Sequence, residues 1–529
     1  MSYVSGFVAR LLSYAVRCIQ IDTRTLAVFR ILVGALIIAD LVLRSQHFTR
    51  LYTDEGMVPQ SLAVDQTVDH AFSFYFLTTN PTMIAVLFVI QGLIALQLIV
   101  GYHTRIATLF SFLFVVSLDH HNPLVLSYAD TLFRLLLFWA VFLPLGERWS
   151  IDAIHAGRPP RQHVASIASA AILVQMIYMY VVNGYHKSTN ELWTGGEATI
   201  LIFGLDDTTY LFGDALRAFP PLLQAGGLLW YYSLLLSPLL LVLPGRWRMP
   251  LIVLLLGGHA GLALTVRIGA FPYVAIAGVL LFLQSEFWRD AQWAASRLRL
   301  SERAASAAAG IERIGVATAR WLPSFRLTEG IPRVVTTTVG DFAAIVAVLM
   351  VLVIPSIYSL HDEGVIDFDT GRVGEDTRNW TAAIGVRQPP WTVFAPNPRT
   401  TDRYHVFAAR TADGELLDIY NDRRFTFERP YQQLQRQYLS YRERFYMNSV
   451  RRAGFNGQAT PILAEYLCNT WRNQRGIEIT HIEMYVIAES VTVETIDDPA
   501  NRATDRSLFY RHGCGDREPM VLDLPEGDD

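Results

Sequence analysis

Nine stretches of this chain are apolar over lengths close to the 20 or so residues that a helix needs to cross a hydrocarbon layer. They fall at roughly 26–44, 82–102, 104–119, 130–146, 164–185, 226–245, 248–266, 269–287 and 338–359. Inside lipid a backbone must satisfy its own hydrogen bonds, so runs of this kind fold as helices. Composition agrees: 17% of the 529 residues are charged, against about a quarter in soluble proteins. Mean hydropathy is +0.27.

Arginines give the expected orientation, since they favour the cytoplasmic side. Arg10, Arg17 and Arg24 precede the first stretch, and Arg105, then Arg148, Arg158 and Arg161, then Arg246 and Arg248 fall in alternate connections. The segment 288–334 adds eight more. Nine spans with the N-terminus inside place the C-terminus outside the cell membrane (inner or plasma membrane). Residues 1–25 read as an amphipathic interfacial helix. A transmembrane bundle then covers 26–287, a cytoplasmic helical connector 288–334 and a last span 335–359. An extracytoplasmic α+β domain follows over 360–529, where the apolar excess ends. In that tail "RYHVFAART" and "LLDIY" alternate as strands around the turn "ADGE". Residues 430–452 and 460–473 read as helices, and 477–496 as one or two strands. The lipid bilayer is therefore an expected partner. A net charge of −4 without a basic cluster excludes nucleic acid.

Of the 44 basic residues, 43 are arginine and one is lysine, Lys187, in "NGYHKSTNELW". An arginine stays protonated, whereas a lysine moved out of water can act as a base. A lysine at a helix end can also reach up to lipid headgroups, but arginine does that equally well. Asn183, His186, Lys187 and Glu191 fall within nine residues, followed by Trp193 as an interfacial anchor and by Gly195 and Gly196. Other ionisable groups in apolar runs are functional candidates by default. Arg30 and Asp40 suit helix pairing. Asp130 and Arg134 share a helix face, as an ion pair or as pocket lining. His259 sits mid-run beside two glycines, as a packed core residue or a ligand contact. "DHHNP" sets His120 and His121 beside Asp119, too few converging ligands for a metal, and no metal is expected. Cys468 and Cys514 either pair, if the tail is outside, or remain free thiols.

The stretches "TLAVFRILVGALIIAD", "LYTDEGMVP", "LPLGERWSIDA", "NGYHKSTNELWTGGEA" and "GHAGLALTVRIGAFPYVAIA" resemble, in this order, the vitamin K-dependent γ-glutamyl carboxylase and its bacterial relatives. Those relatives are proteins with a horizontally transferred transmembrane (HTTM) domain. "WTVFAPNP" in the tail is a further pattern of the bacterial members. The resemblance covers about residues 20–290 and implies a vitamin K hydroquinone-like reduced quinone, O2 and CO2 as reactants. It implies that Lys187, beside His186, is the base that deprotonates the quinol. A peptide or protein glutamate on the outer side would then be carboxylated. Where the carboxylase has a histidine flanked by asparagines, this chain reads "LSYADTLFR", and Asp130, His120 and His121 are the candidates to stand in. On this reading Lys187, His186, Asp130 and His259 share one pocket. The other reading is a non-catalytic membrane anchor, or a lipid- or partner-binding protein with the same fold.

Overall fold

The computed structural model describes residues 2–298, 310, 313–324, 333–362, 367–368 and 370–525. An amphipathic helix, α1 (Ser2–Ile19), leads into α2 (Thr23–Ser45), which Asp22 caps by accepting from the amide of Arg24. Then come α3 (Pro81–Val100), α4 (Thr104–His121), α5 (Tyr128–Val141) and α6 (Ile167–Ser188). These are followed by α7 (Pro220–Leu235), α8 (Met249–Thr265), α9 (Phe271–Leu280) and α10 (Ser285–Arg297). Starts are written locally: Asn80 and Pro81 open α3, and capping boxes at Ser127 and Ser166 open α5 and α6.

Among the described residues five helical segments are long and apolar enough to cross a membrane: Thr23–Ser45, Pro81–Val100, Ile167–Ser188, Gly245–Thr265 and Thr338–Asp362. A sixth is α9 with α10, if this pair, bent by 99°, is one span. The expected count of nine is therefore not reached. Helices occupy the remaining positions, but α5 stops after 14 residues at the Pro144 turn, and α7 is interrupted before Pro238. The helix α4 ends in Asp119, His120 and His121, all buried in protein. By contrast only 28% of the apolar window of α3 is buried, which leaves most of it to face lipid. The connector read over 288–334 lies partly outside the described residues.

One end of the bundle is tied by short backbone links. Ile21 and Asp22 pair antiparallel with Val164 and His163. Tyr14 donates to the Val242 carbonyl, and Arg248 to that of Cys18. Arg30 is fully buried and donates to the carbonyls of Ile99, Leu145, Arg148 and Trp149. Both terminal nitrogens of Arg30 thus serve helix and turn carbonyls, while its buried Nε has no hydrogen-bond partner among the described residues.

The tail packs on the opposite end. Its five strands, β1 (Thr401–Thr411), β2 (Leu416–Asp418), β3 (Arg423–Arg424), β4 (Ile479–Ser490) and β5 (Thr504–Gly513), lie in the order β3-β2-β1-β4-β5, antiparallel throughout. The helix α12 (Ala459–Arg475) packs on β4 and β5, and α11 (Tyr441–Ala453) lies between α12 and the bundle turn Pro123–Val125. The helix expected over 430–452 begins only at Tyr441. Before it, Gln435 and Gln437 use their amides to hold the carbonyls of Thr209 and His405, so that stretch serves tertiary contacts. β4 ends at Ser490, short of the expected 496, and β5 has no counterpart in the sequence reading.

Candidate functional site

The polar face of α6 organises the site. Tyr180, Asn183 and Lys187 are spaced i, i+3 and i+7, so they line one side of the helix. That side looks into a cavity of about 330 Å3 between α6, α7 and α8. Most of its lining is apolar or aromatic, including Leu223, Trp230, Leu262 and Phe271. From α8, His259 faces the same space and is wholly buried. Its Nε2 lies 2.8 Å from the Tyr180 hydroxyl. When that hydroxyl donates, the imidazole proton sits on Nδ1. Nδ1 is buried and has no hydrogen-bond partner among the described residues.

The cavity reaches the surface of the bundle between α7 and α8. Leu222 and Gly226 are exposed there. A Cβ at Gly226 or at Gly261 would meet no atom within 4 Å.

At the tail end the chain itself closes the cavity. Residues 388–397, running from the end of the bundle into β1, are gripped by their backbone. Asn183 donates to the carbonyls of Trp391 and Val393. Lys187 Nζ donates to Val393 at 2.7 Å, and Trp193 Nε1 to Phe394 at 2.9 Å. Lys187 is 2% exposed, and its Nζ sits 3.7 Å from the centre of the Trp193 ring, a favourable place for a cation. Trp391 and Phe394 adopt left-handed backbone angles of 49° and 52°, costly for such side chains. The grip of α6 offsets that strain.

The expected pocket is thus only half assembled. Lys187 and His259 share the cavity, with Asn183 and Trp193, but His186 and Asp130 do not line it. His186 lies on the adjacent face of α6, where i and i+1 diverge by about 100°. Glu191 and Gly195 are exposed at the rim. Asp130 belongs to a separate buried ionic cluster at the tail interface. There Arg44 pairs with Asp40 and Asp119, Arg442 with Asp40 and Asp130, and Arg134 with Asp119. Asp130 also closes the capping box of α5. The rings of His120 and His121 bond the carbonyls of Phe72 and Tyr52. Neither lines the Lys187 cavity, so neither stands beside the lysine. Sequence reasoning missed Tyr180, although its place seven residues before Lys187 on one helix face was a readable signal. It also missed the closing role of 388–397.

A second ionic cluster fastens the tail to the loop after residue 203. Asp402 accepts from the amides of Asp206 and Asp207 and pairs with Arg502. Burial works against a charged Asp207, yet Arg399 and Arg444 hold its carboxyl down to about 2.

Several apolar spans, a tail sheet clamped to one end and a lysine facing an apolar cavity define a polytopic helical membrane protein. The chain belongs to the HTTM domain family, which matches residues 19–288. No curated protein and no solved structure matches the chain.

Proposed function

We propose that this chain is an integral membrane enzyme of the vitamin K-dependent carboxylase type, with Lys187 as general base toward a reduced quinone or similar lipid-soluble acid. The observation that carries the reading is the only lysine of the chain lining a largely apolar cavity, some of whose lining residues, Leu222 and Gly226, are exposed between α7 and α8. Its volume is in the range of small-ligand sites. A neutral Lys187 Nζ takes the quinol proton, and His259, which lines the same cavity, is the polar group placed to face the oxygen left negative. Such positioned groups contribute about 10²–10⁴-fold each in known enzymes. A reduced quinone, on reaction with oxygen, supplies the strong base that carboxylation of a glutamate requires. Membership of the HTTM family is consistent with that chemistry. The arginine pattern supports a tail on the outer side of the cell membrane, where a peptide glutamate would be met.

One observation favours a second reading. The contacts of Lys187 with the Val393 carbonyl and the Trp193 ring are also those of a cation that latches the tail segment. On that reading the protein is a membrane anchor or lipid-binding protein. Quinol-dependent oxygen uptake by purified protein in lipid, wild type against Lys187→Arg, separates the two. Uptake that disappears in the variant supports the base. No uptake by the wild type with naphthoquinols or benzoquinols leaves the latch.

A further inference from the structure

Far from the Lys187 cavity, at the edge of the tail, four side chains with metal-binding atoms meet. Glu465 and Cys468 lie one turn apart on α12, in "EYLC". His512 and Cys514 come from "HGC" at the end of β5. The carboxylate of Glu465, the sulfur of Cys468 and a ring nitrogen of His512 all lie within 4.8 Å of one another. Cys514 is joined to Cys468 by a disulfide, so its sulfur is at the same place. Both cysteines are buried, while Glu465 and His512 are half-buried and leave a way in.

The carboxylate is held in place. Glu465 accepts from His512 Nε2 at 3.0 Å, from the Gly515 amide at 3.2 Å and from Asn469 at 3.2 Å. A disulfide needs no such company. A spacing of E-x-x-C with H-x-C, brought together by a helix and a strand end, is a set of two sulfurs, one imidazole and one carboxylate. Those are the ligand types of a tetrahedral zinc site.

We propose that Glu465, Cys468, His512 and Cys514 form a thiol-gated zinc site: closed as the disulfide, and open to Zn2+ once the pair is reduced. A dithiol supplies two electrons and two protons and becomes a disulfide itself, while the Cys468–Cys514 bond breaks to two thiols. Zinc binding displaces both thiol protons. His512 gives up the Nε2 proton that it donates to Glu465, keeps its remaining ring proton on Nδ1 and offers the freed Nε2 lone pair to the metal, and Glu465 adds one oxygen. The site keeps α12 and β5 joined in either redox state.

The test uses the full chain in lipid with Co2+ as probe, before and after treatment with a trialkylphosphine. That reagent takes up oxygen from water as the disulfide becomes two thiols. The reduced wild type should bind one equivalent of Co2+ with thiolate-to-cobalt charge-transfer absorption, and Zn2+ should displace it. The oxidised protein should show none. His512→Ala and Glu465→Ala should each weaken binding about tenfold or more, while two thiols per chain remain titratable at this pair. A reduced wild type without the absorption overturns the proposal, and that comparison needs no variant. Equal affinity in the reduced His512→Ala protein overturns it too.

Discussion

Lys187 shows what one residue contributes when its neighbours are fixed. Its amino group contacts one carbonyl and one indole, and neither is a carboxylate that would pair with a full positive charge. An arginine there keeps the charge but cannot serve as a base. The companion residue is Tyr180, whose hydroxyl is the sole hydrogen-bond partner of the His259 ring among the described residues. Tyr180→Phe leaves the imidazole buried without a partner, which costs about 1–3 kcal/mol. It should appear as a lower melting temperature in lipid, and unchanged melting would contradict the assignment. Arg30→Met removes the donor to four carbonyls and should cost about 3 kcal/mol or more, since bonds from a charged donor are worth about 1.5–3 kcal/mol each. Quinol turnover per folded molecule should stay as it was. Lys187 was legible in the sequence as the single lysine among arginines. The separation of His186 from it was not, because adjacency in sequence places two side chains on different faces of a helix.

At the level of elements, the segment 388–397 couples the bundle to the tail. Asn183→Leu keeps the volume of the side chain roughly and removes two donors to that segment. Limited proteolysis should then cut near residue 390 faster than in the wild type. An unchanged rate would show that the other grips suffice. The tail sheet carries its own pH response. His405, in β1, is enclosed by Phe407, Tyr420, Tyr438 and Phe509. Burial, helped by Arg451, lowers its pKa to about 3. The unfolded chain takes up a proton near pH 6.5, whereas the folded domain resists it until about pH 3. Between these values the unfolded state binds more protons, so stability falls as pH falls, by up to about 1.4 kcal/mol per pH unit. His405→Phe should flatten that part of the slope when tail melting is followed from pH 7 to pH 4. A slope equal to that of the wild type would contradict the assignment.

For the molecule as a whole, the most strongly patterned features were the most legible. The helices Thr23–Ser45, Pro81–Val100 and Ile167–Ser188 follow from uninterrupted apolar runs with capping residues at their starts. The count of nine spans is not confirmed where apolar runs cross a turn: helices end near Pro144 and Pro238 although the hydropathy carries onward. The cavity was legible only in part. Helix periodicity links Asn183 to Lys187, but no periodicity brings His259 from α8 or Val393 from the tail. Those meetings depend on how helices pack. Asp130 does line a cavity, one of about 630 Å3 that it shares with Arg44, Asp119 and Arg442, but this is not the cavity of Lys187, and its charge is held within the ionic cluster there.

The central claim is that the Lys187 cavity takes a lipid-soluble ligand from the bilayer. The most direct measurement is the quenching of tryptophan fluorescence by a naphthoquinone titrated into protein in lipid nanodiscs, since Trp193 and Trp230 line the cavity. Wild type is compared with Gly226→Leu and Gly261→Leu, which put bulk into the gap between α7 and α8 where a new side chain meets open space. The account predicts saturable quenching in the wild type and an affinity about tenfold or more weaker in the double variant. Non-saturable quenching, identical in both proteins, would contradict it.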